Sequence, residues 1–125
     1  MARILTIDDS PLARSVVRIV LERDGHTLFE ARDGIEGLDA AISQHPDVIL
    51  CGVSLPGMGA HDIARCLRSA GVGAPMIALG HDPESGSCIV SADLGIIGMV
   101  GRPPCADTLR SGVDAAIHAG SRFAA

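Results

Sequence analysis

Three short runs along the chain are apolar with no alternation: Ile4-Leu5-Thr6-Ile7, Val48-Ile49-Leu50-Cys51 and Met76-Ile77-Ala78-Leu79. Runs of that length, bounded by turn residues, predict strands buried on both faces, as in a parallel sheet. Thr27-Leu28-Phe29 and Gly98-Met99-Val100-Gly101 are weaker strand signals, the second because its glycines blur the ends. Between the runs, apolar residues recur at helical spacing. Ser10-Pro11 predicts an N-cap and first turn, with Leu12, Val16, Ile19 and Val20 on the inward face and Gly25 as the stop. Asp33 predicts the cap of a second helix with Ile35, Leu38 and Ile42 inward. A third helix is expected from about Ala60 to Ala70 with Ile63 and Leu67 inward. The last is expected from about Ala106 to Ala119 with Leu109, Val113, Ala116 and Ile117 inward. Asp82-Pro83-Glu84-Ser85-Gly86-Ser87 is a poor helix start, so the fourth helix is expected to be short, over Cys88 to Leu94.

Strand and helix thus alternate five times. That order predicts an α/β domain of three layers, a five-stranded parallel sheet with helices on both faces. A chain of 125 residues accommodates one such domain, expected over residues 1–120 with a frayed tail over 121–125. The hydrophobic fraction of 47% fits a globular core. A net charge of −5, and Phe29 and Phe123 as the only aromatics, argue against nucleic-acid binding and against a polybasic membrane contact. No apolar run approaches the length of a membrane span, and the N-terminus lacks the apolar region of a signal peptide. Cys51, Cys66, Cys88 and Cys105 form no metal-binding spacing and read as reduced thiols, so a cytoplasmic location is expected.

Open α/β sheets carry their sites beyond the carboxyl ends of the strands. The first strand is followed by Asp8 and Asp9, the third by Gly52 and Val53-Ser54-Leu55-Pro56-Gly57, the fourth by Gly80 and His81, and the fifth by Arg102 and Pro103. With Ile7-Asp8-Asp9-Ser10-Pro11, Pro46-Asp47-Val48-Ile49-Leu50, Ser54-Leu55-Pro56-Gly57-Met58 and Arg102-Pro103, the chain resembles the CheY-like response-regulator receiver family over essentially its whole length. The resemblance implies a flavodoxin-like (βα)5 fold. It also implies five functional positions: an acidic pair that helps hold Mg²⁺, a phosphoryl-accepting Asp, a hydroxyl residue, a Lys, and an aromatic that moves on activation. Asp8 and Asp9 match the pair. At the other four positions stand Gly52, Gly80, Arg102 and Met99.

Gly52 offers no nucleophile, and neither Asp47, at the start of its strand, nor Asp62, inside a helix, replaces it. No cofactor is expected, and Mg²⁺ at Asp8 and Asp9 only weakly. Arg102 is expected to reach the space beside Gly52 and pair with the remaining acids. The resulting expectation is a stand-alone, non-enzymatic pseudo-receiver that signals through phosphorylation-independent binding to another signalling protein. The family's face of helix four, strand five and helix five would then include Met99, Pro103, Pro104 and Thr108. Two alternatives stay open: a regulator that binds an anion or nucleotide through the Gly-rich pocket mouth and Arg pairs such as Arg14/Arg18 or Arg65/Arg68, and a receiver phosphorylated on a non-standard acceptor. The sequence does not specify the oligomeric state.

Overall fold

The computed structural model describes residues 1–80, 90–102 and 104–123. Its elements run β1 (Arg3–Ile7), α1 (Pro11–Arg23), β2 (Thr27–Ala31), α2 (Gly34–Gln44), β3 (Val48–Gly52), β4 (Ser54–Leu55), β5 (Met58–Gly59), α3 (Ala60–Ser69), β6 (Met76–Leu79), a 3-10 turn at Ala92–Leu94, β7 (Ile96–Val100) and α4 (Ala106–Phe123). The main sheet has five strands in the order β2-β1-β3-β6-β7, all parallel. The weaker strand signals both form: β2 continues to Ala31, and β7 begins at Ile96 with a register shift opposite Met76 and Ile77. β4 and β5 form a small antiparallel hairpin over Pro56-Gly57, where Gly57 takes a positive φ of 79°.

Alternate residues of each strand enter opposite cores, as a two-residue side-chain period requires. Leu5, Ile7, Ile49, Cys51, Met76 and Ala78 meet α2 and α3 on one side. Ile4, Val48, Leu50, Ile77 and Leu79 meet α1 and α4 on the other. The three-layer α/β architecture is the one expected.

Two helices are rotated from their expected orientation. In α1 the buried residues are Ala13, Val17, Val20 and Leu21, while Leu12 is 67% and Ile19 56% exposed. Arg14 and Arg18 both bind Glu30 on β2, and Arg14 also donates to the Asp8 carbonyl, which fixes the rotation. In α2 the inward residues are Gly34, Gly37 and Ala41, while Ile35 and Ile42 point outward. The small face lets α2 sit so close to β1 that a Cβ on Gly37 would lie 2.5 Å from Ile7 Cδ1. Leu38 packs only partly into the core. In α3 and α4 the expected Ile63, Leu67, Leu109, Val113 and Ala116 are buried, and Ile117 is partly so.

The expected start of the fourth helix lies outside the described residues, and Ala92–Leu94 forms a 3-10 turn. α4 continues beyond Ala119 to Phe123, so residues 121–123 of the expected tail are helical. Arg68 ties the amino ends of β6 and β7 to α3: its guanidinium donates to the carbonyls of Leu94, Val72 and Ala74.

Candidate functional site

The sheet brings the sequence-selected residues together at one end. Asp8 directly follows β1, Gly52 is the last residue of β3, Gly80 directly follows β6, and Arg102 lies just beyond β7. β1 and β3 are neighbours in the sheet, with Ile7 opposite Cys51, and the strand order reverses there.

Asp8 is completely buried. Its Oδ1 accepts from the Ser10 amide at 2.9 Å and from Arg102 Nη2 at 2.8 Å. The same guanidinium nitrogen donates to Asp9 Oδ1 at 2.7 Å, so one Nη2 bridges two carboxylates. The expected Asp–Arg102 pair is therefore present, and it joins positions 94 residues apart. Burial holds the Asp8 carboxyl above the ordinary Asp value; the Ser10 amide and Arg102 oppose the shift, and the Asp9 carboxylate adds to it. Asp8 Oδ2 is buried with no hydrogen-bond partner among the described residues.

The space at the end of β3 is filled. A Cβ placed on Gly52 would lie 3.2 Å from Leu55 Cδ2, and Leu55 is only 6% exposed. Gly80 has φ +135°, a conformation that L side chains rarely adopt, and its amide donates to the Val100 carbonyl at 2.8 Å. Residue 80 thus lacks a hydroxyl and also has a backbone unsuited to one. Cys51 is the nearest sulfur nucleophile by sequence, but it is buried and its thiol is pushed up to about 12, first by burial and then by Asp8. A thiol at that value stays protonated and unreactive at neutral pH.

Asp8 and Asp9 are the carboxylates that would hold a Mg²⁺ ion at this end of the sheet. Among the described residues no group of three or more His, Cys, Asp or Glu side chains could hold a metal ion. Both Asp8 and Asp9 are already engaged by Arg102.

The Arg pairs are also internally engaged. Arg14 and Arg18 bind Glu30, Arg65 binds Asp62, and Arg68 binds three backbone carbonyls. No anion patch forms from them.

Of the residues expected on the partner face, Met99 is 45% exposed and Thr108 is exposed, its hydroxyl donating to the Cys105 carbonyl. Pro104 corrects the expectation: it is buried just ahead of α4, and so offers no contact surface. Pro103 and His81 lie outside the described residues. Sequence reasoning missed a groove of about 400 Å³ between β7 and α4, floored by Ile77 and walled by Ile97, Thr108 and Ala115. Gly98 and Gly112, which also line it, were its only sequence signal.

A family model for the response regulator receiver domain matches residues 4–114. Curated relatives include the probable transcriptional regulatory protein TcrX of Mycobacterium tuberculosis, 36% identical over 76 residues that span 61% of this chain and 32% of that protein. Protein PilH of Pseudomonas aeruginosa is 37% identical over 67 residues, covering 54% of this chain and 55% of PilH. The chain therefore aligns with about a third to about a half of these relatives' lengths. Among solved structures, the chemotaxis response regulator CheY4 of Vibrio cholerae superposes with TM-score 0.82 at 26% identity, covering 93% of this chain and 98% of CheY4. A receiver domain protein of Clostridium thermocellum reaches TM-score 0.86 at 23% identity, covering 98% and 99% of the two chains, and shares the fold.

Proposed function

The chain belongs to the response-regulator receiver family, and on that premise we propose that it is a pseudo-receiver, a signalling domain that works by binding another signalling protein with no phosphorylation step. The observation that carries this reading is the ionic lock at the strand ends: Arg102 Nη2 bridges Asp8 and Asp9 beside a Gly52 whose side-chain space Leu55 fills.

Phosphoryl transfer to a protein needs a positioned nucleophile and a centre that stabilises the transferring charge. Gly52 supplies no nucleophile. The cation that would neutralise an incoming phosphoryl group is already neutralised by two carboxylates. Gly80 supplies no hydroxyl to orient a phosphoryl oxygen. With these parts missing the domain has one resting conformation, and its output is what that conformation binds. The surface of β7 and α4, with Met99 and Thr108 exposed, is the face on which a partner protein would dock. Met99 suits such a role because an unbranched thioether adapts to the surface it meets.

The test is an NMR titration of labelled protein with Mg²⁺ and then beryllofluoride, together with intact-mass analysis after acetyl phosphate. The expected result is no mass gain and no shift at Asp8, Asp9 or Gly52. A phosphoryl adduct with shifts that spread to Met99 would establish a working switch and refute the reading.

A further inference from the structure

We propose that the chain self-associates head to tail, with α1 of one copy seated in the groove between β7 and α4 of the next. This deepens the interaction reading by naming a second copy of this chain as an occupant of that face.

The projecting half is on α1. Leu12, Val16, Ile19 and Arg23 are spaced so that they fall on one line down the helix. Leu12 is 67% and Ile19 56% exposed, while Val16 between them packs partly against the core beneath α1 and α4. Arg23 makes no ion pair among the described residues, whereas Arg14 and Arg18 are held by Glu30.

The receiving half is the groove of about 400 Å³. That is more than ten times the liquid volume of one water, about 30 Å³, and ample for branched aliphatic side chains. It is open because Gly98 carries no side chain: a Cβ there would meet nothing within 4 Å among the described residues. Its floor is Ile77, and Thr108 and Ala115 stand along one wall. Asp107, exposed at the mouth, makes no ion pair among the described residues.

Spacing and charge match between the halves. Leu12 to Ile19 and Thr108 to Ala115 are both seven-residue steps, about 10.5 Å along a helix. An antiparallel arrangement sets Leu12 against Ala115 and Ile19 against Thr108, and brings Arg23 toward Asp107. Arg14 and Arg18 point away from this line and are held by Glu30, so the charge match rests on Arg23 against the exposed Asp107. The two surfaces are different patches of one molecule, so the contact is heterologous and propagates instead of closing on itself as a two-fold dimer.

Sedimentation velocity over a concentration series tests this, on the wild type and on two variants whose folding is checked by circular dichroism. Leu12→Glu spoils the projecting half and Gly98→Leu fills the receiving half. The wild type should show a weight-average mass that rises with concentration above the 12.8 kDa monomer. Each variant alone should associate at least tenfold more weakly. Mixed together, Gly98→Leu still offers its α1 and Leu12→Glu its groove, so the pair should form a 1:1 dimer that stops there. Asp107→Arg, at an exposed position, should weaken association, and adding Arg23→Glu to it should restore it. A wild type that stays monomeric into the millimolar range overturns the proposal, as do variants that fail to complement on mixing. A phosphoryl adduct in the intact-mass assay would instead overturn the pseudo-receiver reading and leave this contact standing.

Discussion

Replacing Arg102 with alanine removes the one cation bound, among the described residues, to a completely buried carboxylate, and the cost follows from that burial. Breaking a buried ion pair by deleting one partner costs about 3–5 kcal/mol, because the other charge is left without compensation. Here Arg102 is 29% exposed, so water screens part of the pair, and a loss of about 2–3 kcal/mol at neutral pH is expected from the Asp8 contact. The Asp9 contact, with a side chain 39% exposed, adds little. For a domain of this size that loss lowers Tm by about 8–12 °C. The pH dependence is the sharper test. Asp8 already holds its proton more tightly in the folded chain than in the unfolded one. Its contribution is therefore greatest below the unfolded value, near about pH 4, and is lost as pH rises through the raised folded value. Without Arg102 the folded value rises further, so the variant goes on losing stability over a longer pH range than the wild type. The two should converge below the ordinary Asp value, where Asp8 is protonated in both, and separate progressively as pH rises above it. Urea unfolding at several pH values, followed by far-ultraviolet circular dichroism because the chain has no Trp or Tyr, measures both curves. A stability difference that is absent at pH 7, or that does not change with pH, would refute the lock.

Two further substitutions test the packing that positions the site. Gly80→Ala should destabilise the fold by about 1–3 kcal/mol in thermal unfolding, because φ +135° is strained for any L side chain although the nearest atom to its Cβ, Val53 Cγ2, is an unobjectionable 3.5 Å away. Gly37→Ala should cost about 1–2 kcal/mol despite the better helix propensity of alanine, since its Cβ would collide with Ile7 at 2.5 Å; Ile7→Val in the same background removes the colliding methyl and should recover part of the loss in a double-mutant cycle.

The strands were legible because Ile4 to Ile7, Val48 to Cys51 and Met76 to Leu79 are apolar on both faces, a pattern that little but a buried strand tolerates. Helix rotation was not legible. α1 carries two adjacent apolar stripes, Leu12-Val16-Ile19 and Ala13-Val17-Val20-Leu21, and hydrophobicity alone does not choose between them. The choice is made by Arg14 and Arg18 reaching Glu30, a contact with another element. In α2 the inward residues Gly34, Gly37 and Ala41 are too small to give a hydrophobic signal, and the large Ile35 and Ile42 gave a false one. At the site, Asp8, Gly52, Gly80 and Arg102 were all found by one rule, that chemistry sits past the carboxyl ends of parallel strands. What no residue pattern announced was Leu55 folding back against Gly52, or the backbone twist at Gly80, because both depend on the path of a loop.

On the pseudo-receiver reading proposed above, those two features bear on how far the site stands from a phosphoryl switch. Placing aspartate at Gly52 adds a third carboxylate near Asp8 and Asp9, with Arg102 as the one cation bound to them among the described residues. Like charges brought together in a partly buried site repel, so the added carboxylate costs stability unless a further cation joins it. The new side chain must also displace Leu55, whose Cδ2 already lies 3.2 Å from the added Cβ. A hydroxyl residue at Gly80 meets the opposite difficulty, space but a forbidden φ. Each substitution alone is therefore opposed by a neighbour: Leu55 at Gly52, the backbone itself at Gly80, and the Arg102 pairing at Asp8 and Asp9. On the proposed reading the site is a mutually stabilised alternative arrangement, which returns toward phosphoryl chemistry only if several positions and the loop between β3 and α3 change together.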